Sequence, residues 1–584
     1  MIRTGLVGLG LAFTSTAAIA ADADATKEAV EVSFTDDLEI RYWINPYRLP
    51  GYPDNAVRNY IEQVNRLTAN MSLGAWSIDT QIDQVALFAN RYRLDGELVI
   101  ENAVVGQPGE AYPAYSPLPG DAYANVEKIR LVYERPAVAL QLGDSYAAFG
   151  RGIALNLNRN VDIDIDTSIQ GVKMLARPGA WDITALMGQL NRQQVFQDNP
   201  NMEIPQDRRH LVAGVRAERF GLGPANIGVH GVAYNFLREP GLAASGEGFS
   251  TTPDAIVGGG TLELMGVAGL DVFLEGDLFH YDEGADLTVD EKSSVDAEED
   301  GHALYGSMSA YPGRFVVLVE GKRYLRAERI NALTASEFYE VSVGPSLEYD
   351  RALTEDSGAA LNSSDIVGGR VQVDWSAIPG TLVPYLSAAY FVDRDLGVIH
   401  FNKVPERILH PMVGLEWLAG ERSLLWNAGY RTDQRTEERF GADRQLHSDV
   451  VLQFPLKGEW YGNFNLYAEH VQWGINDPQQ KDFVEVEASY TMGHGAAYAL
   501  ALFCDYTSDH ALASRGNLFP ALFPNSSAKD KPLYGAVELQ WKPDPATTLK
   551  AFYGAYKGGI RCAGGQCRQL PGFNGARVAV QSSF

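Results

Sequence analysis

The chain has 584 residues, of which 46% are hydrophobic, 21% charged and 10% aromatic, and its formal net charge is -26. The apolar fraction excludes global disorder, three cysteines exclude a disulfide-dense scaffold, and the acidic balance argues against nucleic acid, whose phosphates need a basic face. No apolar run reaches the ~18 residues of a membrane-spanning helix, which leaves a large soluble β protein or an outer-membrane barrel.

The N-terminus has the features of a secretory signal peptide. Arg3 supplies a positive charge, residues 5–13 form a short apolar stretch, and Ala18-Ile19-Ala20 is an A-x-A-like cleavage site. We therefore predict a signal peptide over 1–20, a flexible segment over 21–34 and a single β-barrel domain over 35–584.

Alternation of polar and apolar residues is the main structural signal along the rest of the chain. In the stretch 76–83, one face carries Trp76, Ile78 and Ile82, and the other carries Ser77, Asp79, Gln81 and Asp83. The stretch 533–542 repeats this pattern. Such alternation predicts strands with one apolar and one polar face.

The predicted strands come in pairs, with short turns inside the pairs and long polar connections between them. The short turns include 177–179, 221–224, 419–421 and 543–545; the long connections include 149–166, 191–209, 239–253, 283–300 and 508–531. This arrangement predicts an all-β fold, a large transmembrane antiparallel β-barrel of about 24–26 strands. The alternation of short and long connections breaks between Glu328 and Ser364, so we expect one of 25 candidate strands to be misassigned there.

The C-terminus supports a barrel independently. The chain ends at Phe584, with Val578 and Val580 on the same alternating face. A terminal aromatic residue on an amphipathic last strand resembles the signal read by the barrel-assembly machinery. We therefore expect that machinery, membrane lipid and lipopolysaccharide as partners, with further envelope partners unknown and no nucleic acid.

Two stretches carry a resemblance to known proteins. The first is 143–155 (GDSYAAFGRGIAL) followed by 162–171 (DIDIDTSIQG), and the second is 558–568 (GGIRCAGGQCR). Together they resemble an uncharacterised family of Gram-negative outer-membrane β-barrel proteins with GDxYxxFGRG and GGxxCxGGxCR motifs. The resemblance implies the fold and an outer-membrane location, and it implies no catalytic residues.

Cys562 and Cys567 lie in the last long connection and are separated by four residues. In a secreted compartment this spacing predicts a disulfide that braces a surface loop. A metal site would need four ligands, and no His or second Cys pair lies nearby. Cys504 is expected to be a buried or lipid-facing thiol.

The long connection 149–166 follows a strand and is rich in charge. With its flanks it contains Asp144, Arg151, Arg159, Asp162, Asp164 and Asp166. Folded into the lumen, this loop would narrow the pore and give it charge selectivity, so these six residues are candidate constriction charges. The alternative is an exposed or barrel-wall polar face with Arg–Asp pairing.

Other motifs indicate little chemistry. Gly143-Asp144-Ser145 mimics the opening of one hydrolase class, and Asp277 precedes His280 by three residues, but no α/β context accompanies them. The acidic stretch 283–300 lacks calcium-loop spacing, and the ten His show no metal-binding spacing. We therefore predict no catalytic residues, no metal and no cofactor.

The function that this organisation favours is a porin-like channel for small polar solutes in the Gram-negative outer membrane. The alternative is a non-transport role, as a structural, adhesion or envelope-complex component of that membrane. The substrate does not follow from the sequence.

Overall fold

The computed structural model describes most of the chain between Val30 and Phe584. The described residues are 30–44, 59–89, 93–94, 97–98, 122–160, 165–192, 210–235, 255–281, 300–325, 327, 339–341, 366–393, 407–433, 442–473, 481–508, 533–557, 559–563, 566–570 and 573–584. These residues contain no helix that is long and apolar enough to cross a membrane.

Twenty-four antiparallel strands form one closed barrel. In chain order they are β1 Val30–Ile44, β2 Asn59–Leu73, β3 Trp76–Ala89, β4 Ala122–Arg135, β5 Val138–Ser145, β6 Ile165–Ala176, β7 Trp181–Arg192, β8 Leu211–Leu222, β9 Ala225–Asn235, β10 Ala255–Val267, β11 Leu270–Tyr281, β12 Gly301–Ala310, β13 Phe315–Leu325, β14 Ile366–Trp375, β15 Leu382–Asp393, β16 Arg407–Ala419, β17 Arg422–Asp433, β18 Ala442–Pro455, β19 Trp460–Trp473, β20 Lys481–His494, β21 Tyr498–Thr507, β22 Leu533–Asp544, β23 Thr547–Tyr556 and β24 Phe573–Ser583.

Each strand pairs with its neighbours in sequence, and the first strand closes the barrel on the last. Thr35–Trp43 of β1 pair with Gly575–Ser583 of β24. The connections alternate between turns of two to six residues and longer loops, and both ends of the barrel domain lie on the side of the short turns. Closure leaves no free sheet edge. A sheet in lipid needs this, because unpaired backbone groups at an edge would find no water to bond. The predicted barrel and its turns are confirmed.

The two faces of the wall follow the alternation of the sequence. On β22, Leu533, Val537, Leu539 and Trp541 are 37–50% exposed on the outer face. Tyr534 is buried on the opposite face, and Glu538 there pairs with Arg577 of β24. In an outer-membrane barrel, apolar side chains point outward and polar side chains point inward, because the outer face contacts lipid.

Tryptophans cluster on the outer wall toward the short turns. Trp76, Trp181, Trp375, Trp460 and Trp541 are 39–49% exposed there. This position suits rings that lie between lipid tails and head groups.

The break predicted between Glu328 and Ser364 has a structural cause. The only strand described between β13 and β14 is Tyr339–Val341, and it pairs with Gln566–Arg568 of the last long connection instead of joining the barrel. One candidate strand is therefore not a wall strand, and the barrel has 24 strands.

The barrel begins earlier than predicted. Val30–Phe34, placed by the sequence in a flexible segment, form the start of β1 and pair with Ala69–Leu73 of β2. The last residue completes this edge, since Phe34 and Phe584 exchange two backbone hydrogen bonds of 3.0 and 2.8 Å. The boundary moves from Thr35 to Val30, while residues 1–29, including the predicted signal peptide, lie outside the described part.

The C-terminal residues lie where the sequence places them. Val578 and Phe584 are 49% and 71% exposed on the outer face, and Val580 is half-buried on the same face. Recognition of this strand by the assembly machinery stays a prediction.

Candidate functional site

The connection between β5 and β6 turns into the barrel. Its residues 146–160, here named the inner loop, contain two short strands, Ala147–Phe149 and Leu155–Leu157, which pair with each other. Five of its apolar side chains are at most 2% exposed: Phe149, Ile153, Ala154, Leu155 and Leu157.

These side chains share one apolar cluster with wall residues of β6 to β16. The wall residues concerned face the lumen: Phe279 belongs to the cluster, whereas its neighbour Leu278 is 71% exposed on the outer face. Each large apolar side chain that the loop buries contributes roughly 1.5–3 kcal/mol, so the loop is held inside the barrel by its own hydrophobic residues.

Wall side chains also hold the backbone of the inner loop. The Tyr234 hydroxyl donates to the Ala154 carbonyl at 2.6 Å, and the Arg216 Nη1 donates to the Ala148 carbonyl at 3.1 Å. The Lys173 Nζ donates to the Tyr146 carbonyl at 2.5 Å. These donors come from three different strands, and the buried Tyr234 satisfies a loop carbonyl that lies away from water.

Two glycines permit the close approach of loop and wall. A Cβ on Gly214 of β8 would lie 2.9 Å from the Phe149 ring. Gly150 has a φ of +57°, and a Cβ there would lie 2.0 Å from the Glu275 carboxylate. Glu275 also accepts a hydrogen bond of 2.7 Å from the Arg151 backbone N–H. A larger residue at either glycine would push the loop off the wall.

A polar network closes the wall where β5 leaves it. β5 has 8 residues and its neighbour β4 has 14, and the pairing of β4 with β5 stops at Arg130 and Gly143. Beyond this point the Asp144 carboxylate accepts from the Ile129 N–H of β4 at 2.8 Å, the Ser168 hydroxyl of β6 at 2.9 Å and the Asn191 amide of β7 at 2.7 Å. The Asp144 side chain therefore links β4 to β6 and β7 where the pairing of β4 with β5 ends.

The root of the inner loop carries a second set of charged contacts. Asp166 accepts from the Lys128 Nζ at 2.5 Å and from the Tyr146 hydroxyl at 2.7 Å, and Arg159 lies 3.7 Å from it. Burial, together with the Asp166 charge, raises the pKa of Tyr146, so its hydroxyl stays protonated and donates. The short strand Arg159–Asn160 pairs with β6 and brings the chain back to the wall.

The structure separates the predicted constriction residues that it describes into two groups. Arg151 is exposed on the inner loop, and its guanidinium lies 4.6 Å from the centre of the lumen-facing Phe273 ring. Asp144 and Asp166 are buried in the wall networks, with Arg159 exposed beside Asp166. Asp162 and Asp164 lie outside the described residues.

Sequence reasoning missed the wall residues that the loop contacts. Lys173, Arg216, Tyr234 and Glu275 lie on four strands and share no local motif. Their one signal is their position on the polar face of an alternating strand, which they share with most luminal residues.

One luminal cluster has the donors of a metal site. His230 of β9, Glu275 and Asp277 of β11 each offer a ligand atom within 4.8 Å of the others, and all three are buried.

The hydrolase alternative finds no support here, because Asp277 faces the lumen whereas His280, three residues on, has a 69% exposed side chain on the outer face.

The two cysteines of the last connection oppose each other. Gly559–Ala563 and Gln566–Leu570 form a hairpin in which Cys562 is the direct partner of Cys567. Their side chains lie outside the described part, so the disulfide stays a prediction. Cys504 is a free, exposed thiol on the outer face of β21, as one of the two predicted placements required.

No protein-family model matches the chain, and no curated protein matches it in sequence. Similar solved structures include the copper transporter OprC, with a TM-score of 0.42 and 10% identity over 96% of this chain and 81% of that one. OccK9 (OpdG) of Pseudomonas aeruginosa gives a TM-score of 0.37 and 14% identity over 73% and 97%. The P pilus usher (PapC) translocation pore gives 0.38 and 9% over 95% and 99%. At these values the likeness indicates no shared activity or site.

Proposed function

We propose that this protein is a porin-like channel that lets small polar solutes cross the Gram-negative outer membrane, and that the inner loop narrows its lumen. The observation that carries the proposal is the inner loop itself, folded against the inner face of the wall and fastened by apolar burial and by side-chain donors from β6, β8 and β9.

The chemistry of the loop supports passage of polar solutes. Arg151 is exposed within the barrel, and three carbonyls of the loop accept hydrogen bonds from wall side chains. A solute that passes the loop therefore meets a fixed positive charge beside an acidic wall, and such a pairing produces a transverse field that orients small dipolar molecules.

The test is the conductance of the purified full-length chain in planar lipid bilayers. We expect ion conductance from the native protein, and a larger and noisier conductance when Phe149→Ala and Ile153→Ala together remove two buried contacts of the loop, since truncating each such side chain costs about 2–5 kcal/mol of packing. Leu278→Ala on the outer face is the matched control and leaves the conductance unchanged.

A folded barrel that conducts neither in its native form nor with the weakened loop would contradict the proposal. That result would favour the structural, adhesion or envelope-complex role. Folding of each variant is checked by its heat-modifiable migration in detergent gels.

A further inference from the structure

We infer that the lumen wall beside the inner loop contains a binding site for a divalent transition metal, formed by His230, Glu275 and Asp277. The three ligand atoms lie within 4.8 Å of one another. The site is separate from the conduction role proposed above, and it stands on the geometry of the wall alone.

The strand register assembles the site. His230 of β9 pairs with Gly259 of β10, and Gly259 pairs with Asp277 of β11. His230, Gly259 and Asp277 therefore lie in one row across the wall. A Cβ on Gly259 would lie 2.0 Å from the Asp277 Oδ1 and 2.7 Å from the His230 Nε2. The glycine thus leaves the space in which the imidazole and the carboxylate meet over the middle strand, 2.5 Å apart.

Both carboxylates keep an unpartnered oxygen in this buried place. Glu275 is 3% exposed and Asp277 1%, and neither the Glu275 Oε1 nor the Asp277 Oδ2 has a hydrogen-bond partner among the residues that the structure describes. Within the described part of the chain, their hydrogen bonds come from the Arg151 N–H to Glu275 and from His230 to Asp277. Buried acceptors of this kind carry a large desolvation cost, which a bound cation offsets.

Within the described part of the chain, neither carboxylate forms an ion pair with Lys or Arg. The nearest guanidinium on the loop, that of Arg151, lies over the Phe273 ring. Two carboxylates that share a buried site without a compensating charge repel each other, and a divalent ion neutralises both.

The donor set indicates which ions fit. One imidazole and two carboxylates suit Zn²⁺ and neighbouring transition metals, whereas Mg²⁺ and Ca²⁺ prefer oxygen ligands alone. Donors of a tetrahedral Zn²⁺ site lie about 3.3 Å apart at its usual bond lengths, so the His230–Asp277 contact opens slightly as the ion enters. Three protein ligands leave a fourth position for water.

The experiment uses the full-length protein in detergent, stripped with a chelator, incubated with Zn²⁺ and freed of unbound metal by gel filtration. Metal content measured by mass spectrometry is expected to be about one Zn²⁺ per chain, retained in excess Mg²⁺. Asp277→Asn and Glu275→Gln are each expected to lose it. Gly259→Ala blocks the space without removing a donor and is expected to lose it too.

His470→Ala is the matched control, because His470 lies 2.5 Å from Asp482 in a pair whose side chains are 41% and 53% exposed at the rim. This variant is expected to retain the metal. Zinc content that is unchanged in Asp277→Asn and Glu275→Gln, or that falls equally in His470→Ala, would overturn the inference.

A second measurement needs no variant. Co²⁺ added to the stripped native protein is expected to give the visible absorption bands of a low-symmetry site with mixed nitrogen and oxygen ligands, and Zn²⁺ is expected to abolish them by competition. Absence of both Zn²⁺ retention and Co²⁺ bands in a folded barrel would refute the site even if the variants failed to fold. Neither readout depends on conductance, so the metal site and the channel can fail separately.

Discussion

At the scale of single residues, Asp144 is a buried hydrogen-bond acceptor in the barrel wall. The sequence offers it as a constriction charge, but it is 2% exposed and accepts three hydrogen bonds from β4, β6 and β7. The preceding Gly143 has a φ of +94°, and a Cβ there would lie 2.0 Å from the Ile129 carbonyl. The pair Gly143-Asp144 therefore shapes the point where the chain leaves the wall.

We expect Asp144→Ala to destabilise the barrel by about 3 kcal/mol, because it removes a buried acceptor and breaks three hydrogen bonds to it. Denaturant unfolding in detergent micelles, followed by tryptophan fluorescence, measures the change. Asp300→Ala is the control, since its side chain is 72% exposed, and it is expected to shift the free energy of unfolding by less than about 0.5 kcal/mol. Equal effects of the two substitutions would show that the network does not support the wall.

At the scale of elements, short strands inside the long connections fix the positions of two loops. β5 ends at Ser145, the inner loop buries its apolar residues, and Arg159–Asn160 return to pair with β6. In the same way, the hairpin Gly559–Ala563 and Gln566–Leu570 adds the strand Tyr339–Val341 to form a three-stranded sheet outside the wall. Both arrangements satisfy backbone groups of long connections by strand pairing, within one connection for the inner loop and between two connections for Tyr339–Val341.

The hairpin predicts the state of its cysteines. Direct cross-strand partners have Cβ atoms about 4.5–5.5 Å apart, close to the separation of a disulfide, so we expect Cys562 and Cys567 to be oxidised. Thiol titration of the denatured chain should find one free thiol, that of Cys504, and three after reduction. Cys504→Ser should remove the first signal, and a count of three before reduction would contradict the bridge.

Across the whole molecule, the lumen is lined by paired charges with an acidic excess. Among the buried charged residues of the described part, ten are Asp or Glu and five are Lys or Arg. Among these bases, Arg41, Arg66 and Lys128 each pair with an acid, as in Arg66–Asp83 between β2 and β3 and Lys128–Asp166 between β4 and β6. The net charge of -26 thus extends to the inner wall as well as the loops.

This excess predicts a channel that prefers cations over anions. The reversal potential across a bilayer with a KCl gradient measures the preference, which is expected to favour K⁺ at about 0.1 M salt and to shrink at about 1 M, where the screening length falls to about 3 Å. A preference for Cl⁻ at low salt would show that the exposed Arg151 outweighs the wall.

Much of this architecture follows from local patterns. The alternation in 76–83 and 533–542 assigns each side chain to a face, and the alternation of short and long connections gives an antiparallel barrel. The predicted count of about 24–26 strands is confirmed. The surplus candidate lies where Tyr339–Val341 joins a partner more than two hundred residues away, because such pairing leaves no local signal.

The sequence by itself determined the barrel, its two faces and its closing strand, since a period of two along one strand is a local property. The tertiary structure decided what the lumen contains. The seat of the inner loop, the role of Asp144 and the meeting of His230 with Asp277 over Gly259 all depend on the register between strands, and register is fixed by the packing of the whole barrel.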